Sequence, residues 1–354
     1  MYKQRWVTRL SVFFYVLLLS VLLQNPVFSQ SAVISSGIDS ILKLTVPHSF
    51  NGVVTVAQNG QTIYQQAYGF ADRDQKVPLT LKNQFIIGSI SKQMTATLIM
   101  LEVEAGHIQL NKTINHYLPQ LKPRWKDSVT VEQLLNHTSG IKTMELPLQN
   151  RPGRVFAYTN IAYELLAQIL ESVTHQSYAA LATKLFDKCG MRNTTVPTAS
   201  RAIRTLATGY MEEEDHTLTP TGSDLLTLLK APSGGMISTA ADLQRWNICL
   251  HQGKILKDAT YRQMITPSSE RDSRWGRLSY GYGVQVDELD DIREISHNGY
   301  VPGFISTNIY FPEKKLSLIV LENTSWLPAD MSYTFFIEDK IRELLRAQIT
   351  DNVL

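Results

Sequence analysis

The spacing of apolar and polar positions changes several times along the 354 residues. An apolar run, Leu10 to Leu23, interrupted by Ser11 and Ser20, comes first, behind Lys3, Arg5 and Arg9. From Ile34 to Val46 the apolar residues Ile34, Ile38, Ile41, Leu42 and Leu44 recur at helical spacing, which predicts an amphipathic helix. Val53 to Ala57 and Thr62 to Phe70 then read as two strands, and the Asn59-Gly60 pair between them predicts a tight hairpin. The apolar, β-rich stretch Phe85-Ile86-Ile87 breaks at Gly88. A helical pattern starts directly behind it and runs from Ser89 through Met94, Leu98 and Leu101 to a stop at Gly106.

Beyond Gly106 and up to residue 230 the chain reads as helical pieces and loops. Thr130-Val131-Glu132-Gln133 has the form of a capping box ahead of Leu134-Leu135. Asn160 to Val173 and Tyr178 to Phe186 are amphipathic, and His137 reads as a turn residue rather than a catalytic one. A small-residue loop, Ala231 to Met236, leads into a helix capped by Ser238 or Thr239. Strand signals return at Tyr280 to Val286, Ile292 to Ser296, Phe304 to Phe311 and Leu316 to Leu321, ahead of a last helix over Asp330 to Leu345. Strands at both ends with helices between predict an α+β fold: one antiparallel sheet built from both termini, flanked by helices, with an inserted all-helical region. The expected boundaries are a sheet domain over 30–95 and 236–354 and a helical domain over 96–235.

Composition narrows the function classes. Hydrophobic content of 44% and charged content of 19% are ordinary for a globular chain, and a net charge of +2 lacks the basic surplus that nucleic acid demands. The positive start, the apolar run and the small residue Ser29 form the pattern of a signal peptide over 1–29, so the mature chain is expected to be exported, periplasmic or secreted, without a membrane span. The competing reading is an uncleaved anchor; no Cys follows the run, so a lipoprotein attachment lacks its residue. Cys189 and Cys249 lie in apolar, helix-like surroundings and read as buried free thiols, although an oxidising compartment permits a pair. The eight histidines form no His-x-His or His-x-x-x-His pair, so a metal site has no support.

The candidate chemistry starts at Ser89-Ile90-Ser91-Lys92. Positions three apart share a helix face, so the Ser89 hydroxyl and the Lys92 amine can enter one pocket as nucleophile and base. Ser-x-x-Lys arises often by chance and gains weight only with partners elsewhere. Tyr158-Thr159-Asn160, at the entrance to a strong helix, offers a phenol to relay a proton once neighbouring cations lower its pKa, and a carboxamide to orient the lysine or hold a substrate amide. His297-Asn298-Gly299-Tyr300 lies between two predicted strands, where Gly299 lets backbone approach a ligand and the Tyr300 amide can join the Ser89 amide in an oxyanion hole. Taken singly, the Tyr, the Asn and the His read as core or capping residues.

Ser-x-x-Lys, then Tyr-x-Asn, then His-x-Gly ahead of two terminal strands resembles the penicillin-recognising serine hydrolases, the group joining class C β-lactamases, D-Ala-D-Ala carboxypeptidases and related esterases. Leu134 to Ile141, Asn160 to Glu171 and Ser233 to Trp246 extend the resemblance over residues 35 to 345. It implies a β-lactamase/transpeptidase-like fold and an acyl-enzyme on Ser89. Lys92 would be the base, Tyr158 the proton shuttle and Asn160 the holder of Lys92 and the substrate amide. His297, Gly299 and Tyr300 would bind substrate, the last through its backbone amide. No metal or cofactor is implied, and the expected substrate is a small peptide, amide or ester, peptidoglycan-derived for instance.

The third motif departs from the β-lactamases by carrying His where they carry Lys. Histidine is only partly charged at neutral pH, and within the resembled family His-x-Gly looks more like the carboxypeptidases, D-amino-acid peptidases and esterases than the dedicated β-lactamases. Gly283 to Asp287 supplies no arginine for a terminal carboxylate, and Arg293 is the nearest alternative. The reading is a D-Ala-D-Ala carboxypeptidase-like peptidase or amidase. Its alternatives are a carboxylesterase or weak class C-type β-lactamase and, from another class, a non-catalytic penicillin- or peptidoglycan-binding sensor. No Gly-x-Ser-x-Gly and no Gly-x-x-x-x-Gly-Lys occurs in the chain.

Overall fold

Asn59 and Gly60 both take positive φ, 51° and 80°, the pair of left-handed residues that a two-residue hairpin turn needs. They join β1 (Gly52–Gln58) to β2 (Gln61–Tyr68). The computed structural model describes residues 25–197, 203–222, 230–326 and 330–351, so the apolar run of the expected signal peptide lies outside the described residues. Within them no helix is long and apolar enough to cross a membrane.

Six further strands complete the sheet: β3 (Ser269–Ser273), β4 (Gly276–Tyr280), β5 (Gln285–Leu289), β6 (Ile292–Val301), β7 (Phe304–Phe311) and β8 (Leu316–Glu322). The order is β2-β1-β8-β7-β6-β5-β4-β3, so the first and last strands of this sheet lie side by side. Every pairing is antiparallel, with Val54 opposite Val320 and Asn298 opposite Thr307. Both faces of the central strands are apolar because both are covered. Leu316, Leu318 and Val320 pack under α1 (Asn25–Leu42) and the C-terminal helix Phe336–Thr350, through Ile34, Ile38, Ile341 and Leu345. Ile319, Leu321 and Val53 point to the opposite core, which holds α2 (Ser91–Glu104). This helix is buried on all sides from Ser91 to Met100, as a central helix must be.

The helical region packs beyond α2 through α3 (Val131–Leu135), α4 (Asn160–Thr174) and α5 (Tyr178–Lys188), while α6 (Ala240–His251) returns the chain to the sheet; the C-terminal helix is α7. Thr130 and Gln133 form the capping box, and the Thr239 hydroxyl caps α6 by accepting from Asp242 N at 3.2 Å. Short strands Tyr210–Glu212 and Leu218–Pro220 also occur in this region and pair with each other, and the first of them pairs with Thr324–Ser325 on its other side.

Three elements differ from expectation. The run Tyr280 to Val286 is not one strand. Gly283, at φ +73°, presses so close to α2 that a Cβ would lie 2.7 Å from Lys92 O, and the chain bends there between β4 and β5. His297 to Tyr300 is not a loop but the second half of β6, continued by pairing to β7. The cysteines are not free thiols: Cys189, at the end of α5, is bonded to Cys249 on α6, with Cα atoms 5.5 Å apart. Apolar surroundings suit a buried disulfide as well as a buried thiol, and only the folded chain distinguishes them. Because the bond closes a loop across a sequence separation of 60, reduction is expected to cost about 2–4 kcal/mol of stability. Urea unfolding with and without dithiothreitol measures it, and coincident midpoints would remove the bond from the stability argument.

Candidate active site

Gly88 has φ +50°, and a Cβ placed there would meet Gly299 Cα at 2.8 Å and Tyr300 N at 2.9 Å. The turn entering α2 is therefore seated directly on β6, and only glycine on both sides permits the approach. The Ser306 hydroxyl donates to Ile87 O at 2.9 Å, and the Ser91 hydroxyl donates to Gly88 O at 2.7 Å, which fixes the turn from either side. Ser89 sits in a single 3-10 turn, Gly88–Ile90, rather than in the α-helix itself, which starts at Ser91.

Lys92, one turn on, is fully buried. Its Nζ lies 3.0 Å from Ser89 Oγ, 2.8 Å from Asn160 Oδ1 and 2.5 Å from the carbonyl oxygen of Ser233. Nζ can donate to all three oxygens; in its neutral form the amine keeps two hydrogens for Asn160 and Ser233 and turns a lone pair to the Ser89 hydroxyl. Burial pushes the Lys92 pKa well below the ordinary lysine range, and the Glu164 carboxylate only partly opposes it. Tyr158 approaches from the other side and donates its phenolic hydrogen to Ser89 Oγ at 2.7 Å. The Ser89 oxygen thus lies between a proton donor and a proton acceptor.

Tyr158 corrects one expectation. Neighbouring cations do not lower this phenol on balance. Burial pushes it up to about 12, against the smaller opposing effects of its hydrogen bond to Ser89 and the Arg271 charge. The ring still shows 39% of its surface to the open groove. Behind it stands His137, in a φ +59° turn, with ring centroids 4.3 Å apart. His137 is fully buried, and burial together with Lys92 holds its pKa well below the usual imidazole range. Its Nδ1 accepts from Thr159 N at 3.4 Å, so the His137 turn holds the Tyr158–Asn160 segment in place.

His297 is almost fully buried and points back into the sheet. Its Nδ1–H donates to Asn298 O at 2.7 Å, which makes Nε2 the acceptor for the Tyr280 hydroxyl at 2.9 Å. Burial, then Lys92, lower its pKa to about 3, so the ring is neutral at physiological pH. From His297 to Val301 strand β6 has lost its β5 neighbour, whose pairing stops at Gln285 opposite Ser296. Gly299 and Tyr300 therefore present an open strand edge beside Ser89. Arg293 is elsewhere, donating to Ile265 O at 3.2 Å, and is not in the groove.

The groove over Ser89 has a volume of ≈ 510 Å³, and Tyr158, Asn160, His297, Gly299 and Tyr300 all line it. Sequence reasoning missed two contributors. Ser233 O has no side-chain signature, although the Ala231 to Met236 loop that carries it is recognisable. The β3–β4 hairpin, with Arg271 and Trp275, forms a whole wall of the groove. A larger cleft of ≈ 800 Å³ beside Trp125 and Leu148 contains none of Ser89, Lys92 or Tyr158.

Residues 45–336 match the family model described as Beta-lactamase. Over 292 residues the chain is 27% identical to a Bacillus subtilis (strain 168) protein carried under the name penicillin-binding protein PbpX, covering 77% of this chain and 71% of that one. Among solved structures, the D-amino acid amidase of Ochrobactrum anthropi SV3, complexed with L-phenylalanine amide, superimposes with a TM-score of 0.76 at 22% identity, over 90% of this chain and 99% of its own. EstCE1, described as a hydrolase with promiscuous acyltransferase activity, gives 0.71 at 22% identity, with the same coverage of 90% and 99%. At such identities these two show a shared fold.

Proposed function

Since this chain belongs to the beta-lactamase family, we propose that it is a D-Ala-D-Ala carboxypeptidase-like peptidase or amidase working through an acyl-enzyme on Ser89. That it is a serine hydrolase of the β-lactamase and penicillin-binding-protein type follows from the family; the substrate and the residue roles are the proposal. The observation that carries it is the position of Ser89 Oγ between Lys92 Nζ at 3.0 Å and the Tyr158 hydroxyl at 2.7 Å.

In acylation, Lys92 takes the Ser89 proton while Oγ attacks the substrate carbonyl. The developing oxyanion is held by the Ser89 and Tyr300 amides at the junction of Gly88 with β6. Tyr158 passes its proton to the leaving amine and recovers one from Lys92, and its high pKa keeps it in the phenol form needed for that step. Water then attacks the ester with the same groups acting in reverse. Asn160 anchors Lys92 and leaves its amide hydrogens for the substrate.

Export is part of the proposal. It is supported by the N-terminal pattern and by the Cys189–Cys249 disulfide, which belongs to oxidising compartments. The second reading, an esterase, is favoured by the apolar part of the groove wall, Trp275, Met331 and Phe335. Neutral His297 supplies no permanent cation and counts against efficient β-lactam hydrolysis.

The test is labelling with a fluorescent penicillin, followed by mass analysis, on the wild type and Ser89→Ala. An adduct on Ser89 that vanishes in the variant is expected. Comparing hydrolysis of a D-Ala-D-Ala peptide, nitrocefin and a p-nitrophenyl ester separates the readings. Turnover of the ester alone would favour the esterase, and a stable adduct with no turnover of any would revive the sensor.

A further inference from the structure

Two arginines line the groove, and their surroundings differ. Arg274 is already committed. Its Nε lies 2.7 Å from Asp339 Oδ2, its Nη2 lies 2.8 Å from Oδ1, and it is stacked between Trp275 and Phe335 at 4.3 Å from each ring. Trp275 Nε1 donates to the same carboxylate at 2.8 Å. Asp339 belongs to α7, so this knot fastens the β3–β4 hairpin to the body of the sheet and makes it a fixed wall.

Arg271 has no such partner. Among the described residues its hydrogen bonding is a long Nε contact to Asp272 O at 3.3 Å, and its guanidinium lies 5.7 Å from the Phe156 ring centroid. Of the two flanking acids, Glu270 is engaged by Arg277, and Asp272, which also lines the groove, forms no ion pair with Arg271. Register sets where Arg271 points. It stands opposite Leu278, so it shares a sheet face with Tyr280, whose hydroxyl reaches His297. That face is turned to the Phe156–Tyr158 side of Ser89, and the Arg271 charge is felt at Tyr158 and His297.

We propose that Arg271 is the specificity-determining anchor for a carboxylate on the leaving group, supplied by the β3–β4 hairpin rather than by the strands beside Ser89. The inference rests on the acyl-enzyme reading for its direction, since Tyr158 marks the side on which the leaving group departs. Lys92 is enclosed, its Nζ already taken up by Ser89, Asn160 and Ser233, and His297 is neutral and turned inward, so neither offers a carboxylate a free cation. A half-buried guanidinium without an ion-pair partner among the described residues offers a forked pair of donors. The preferred substrate then ends in a free α-carboxylate, which makes the enzyme exo-acting and excludes internal bonds.

The experiment compares an N-acyl-D-Ala-D-Ala peptide with its C-terminal amide in the wild type, Arg271→Gln and Arg271→Lys. The ratio of kcat/KM, carboxylate over amide, is expected to fall about 10–100-fold in Arg271→Gln, mainly through KM, and to recover partly in Arg271→Lys. An unchanged ratio, or equal losses on both substrates, overturns the anchor. Failure of the acyl-enzyme reading looks different: neither substrate is hydrolysed in a Ser89-dependent way. In that event calorimetric Kd values for the same peptide and amide, measured on Ser89→Ala with and without Arg271→Gln, decide the anchor alone. Weaker binding of the carboxylate only supports it, and equal Kd values overturn it.

Discussion

Replacing Lys92 with methionine is expected to lower kcat/KM by about 10⁴-fold while the protein stays folded. Methionine matches the length of the buried stem but cannot take the Ser89 proton, and among the described residues no other base reaches Ser89: Tyr158 faces it as a donor. Ser89→Ala should cost a similar factor, and the double variant little more, because the two side chains act as one unit. The pH profile carries a separate signature. The reactive form needs neutral Lys92 and protonated Tyr158. Burial holds the Lys92 pKa well below its usual range, so the rate rises with pH through that depressed value and levels off below the ordinary lysine range. It falls again only as Tyr158 ionises, near about 12. A rate that climbs steadily to the ordinary lysine range would mean the amine is charged at neutral pH, and Lys92 would then be an electrostatic support rather than the base.

The legibility of this arrangement varied with the kind of signal each part leaves. Ser89 and Lys92 are a local pair, and helical spacing is enough to put them together. Tyr158, Asn160 and His297 carry no meaning singly; their order along the chain made them recognisable, and the structure brings the first two to Ser89 and Lys92. His297 lines the groove, but the strand run through it was hidden because Asn298-Gly299 looks like a turn when the pairing with Thr307 and Ser306 cannot be seen. Ser233 contributes a carbonyl, which every residue has. The β3–β4 hairpin escaped because Ser269 to Ser273 is polar on both faces, so no alternation of apolar residues betrays a strand. The central strands showed the reverse. Leu316 to Leu321 is apolar but for Ser317 because helices cover both sides, and that run was plain in the sequence.

The stability effect expected to be largest lies behind the sheet, where α7 is joined to β5 and β6. Arg342 has a side chain only 8% exposed, with Nε 2.7 Å from Glu294 Oε2 and Nη2 2.6 Å from Asp287 Oδ2. Arg346 reaches the other oxygen of Glu294, and Arg342 also stacks on Trp275 at 4.0 Å. Removing Arg342 strands one carboxylate and half-strips another in a site water hardly enters, so Arg342→Met should cost about 3–5 kcal/mol in urea unfolding. Lys340→Ala, on the same helix but in an exposed pair with Glu343 whose side chains are 44% and 60% exposed, should cost less than about 1 kcal/mol. The cost in Arg342→Met arises from buried charge left alone rather than from an attraction lost. The triple variant Asp287→Leu, Glu294→Met, Arg342→Met should therefore regain most of the stability, with Arg346 retaining Leu289 O at 2.6 Å. If the triple variant is no more stable than Arg342→Met, the network contributes through favourable pairing. The wall carrying Trp275 and Arg271 would then depend on charges that an apolar core cannot replace.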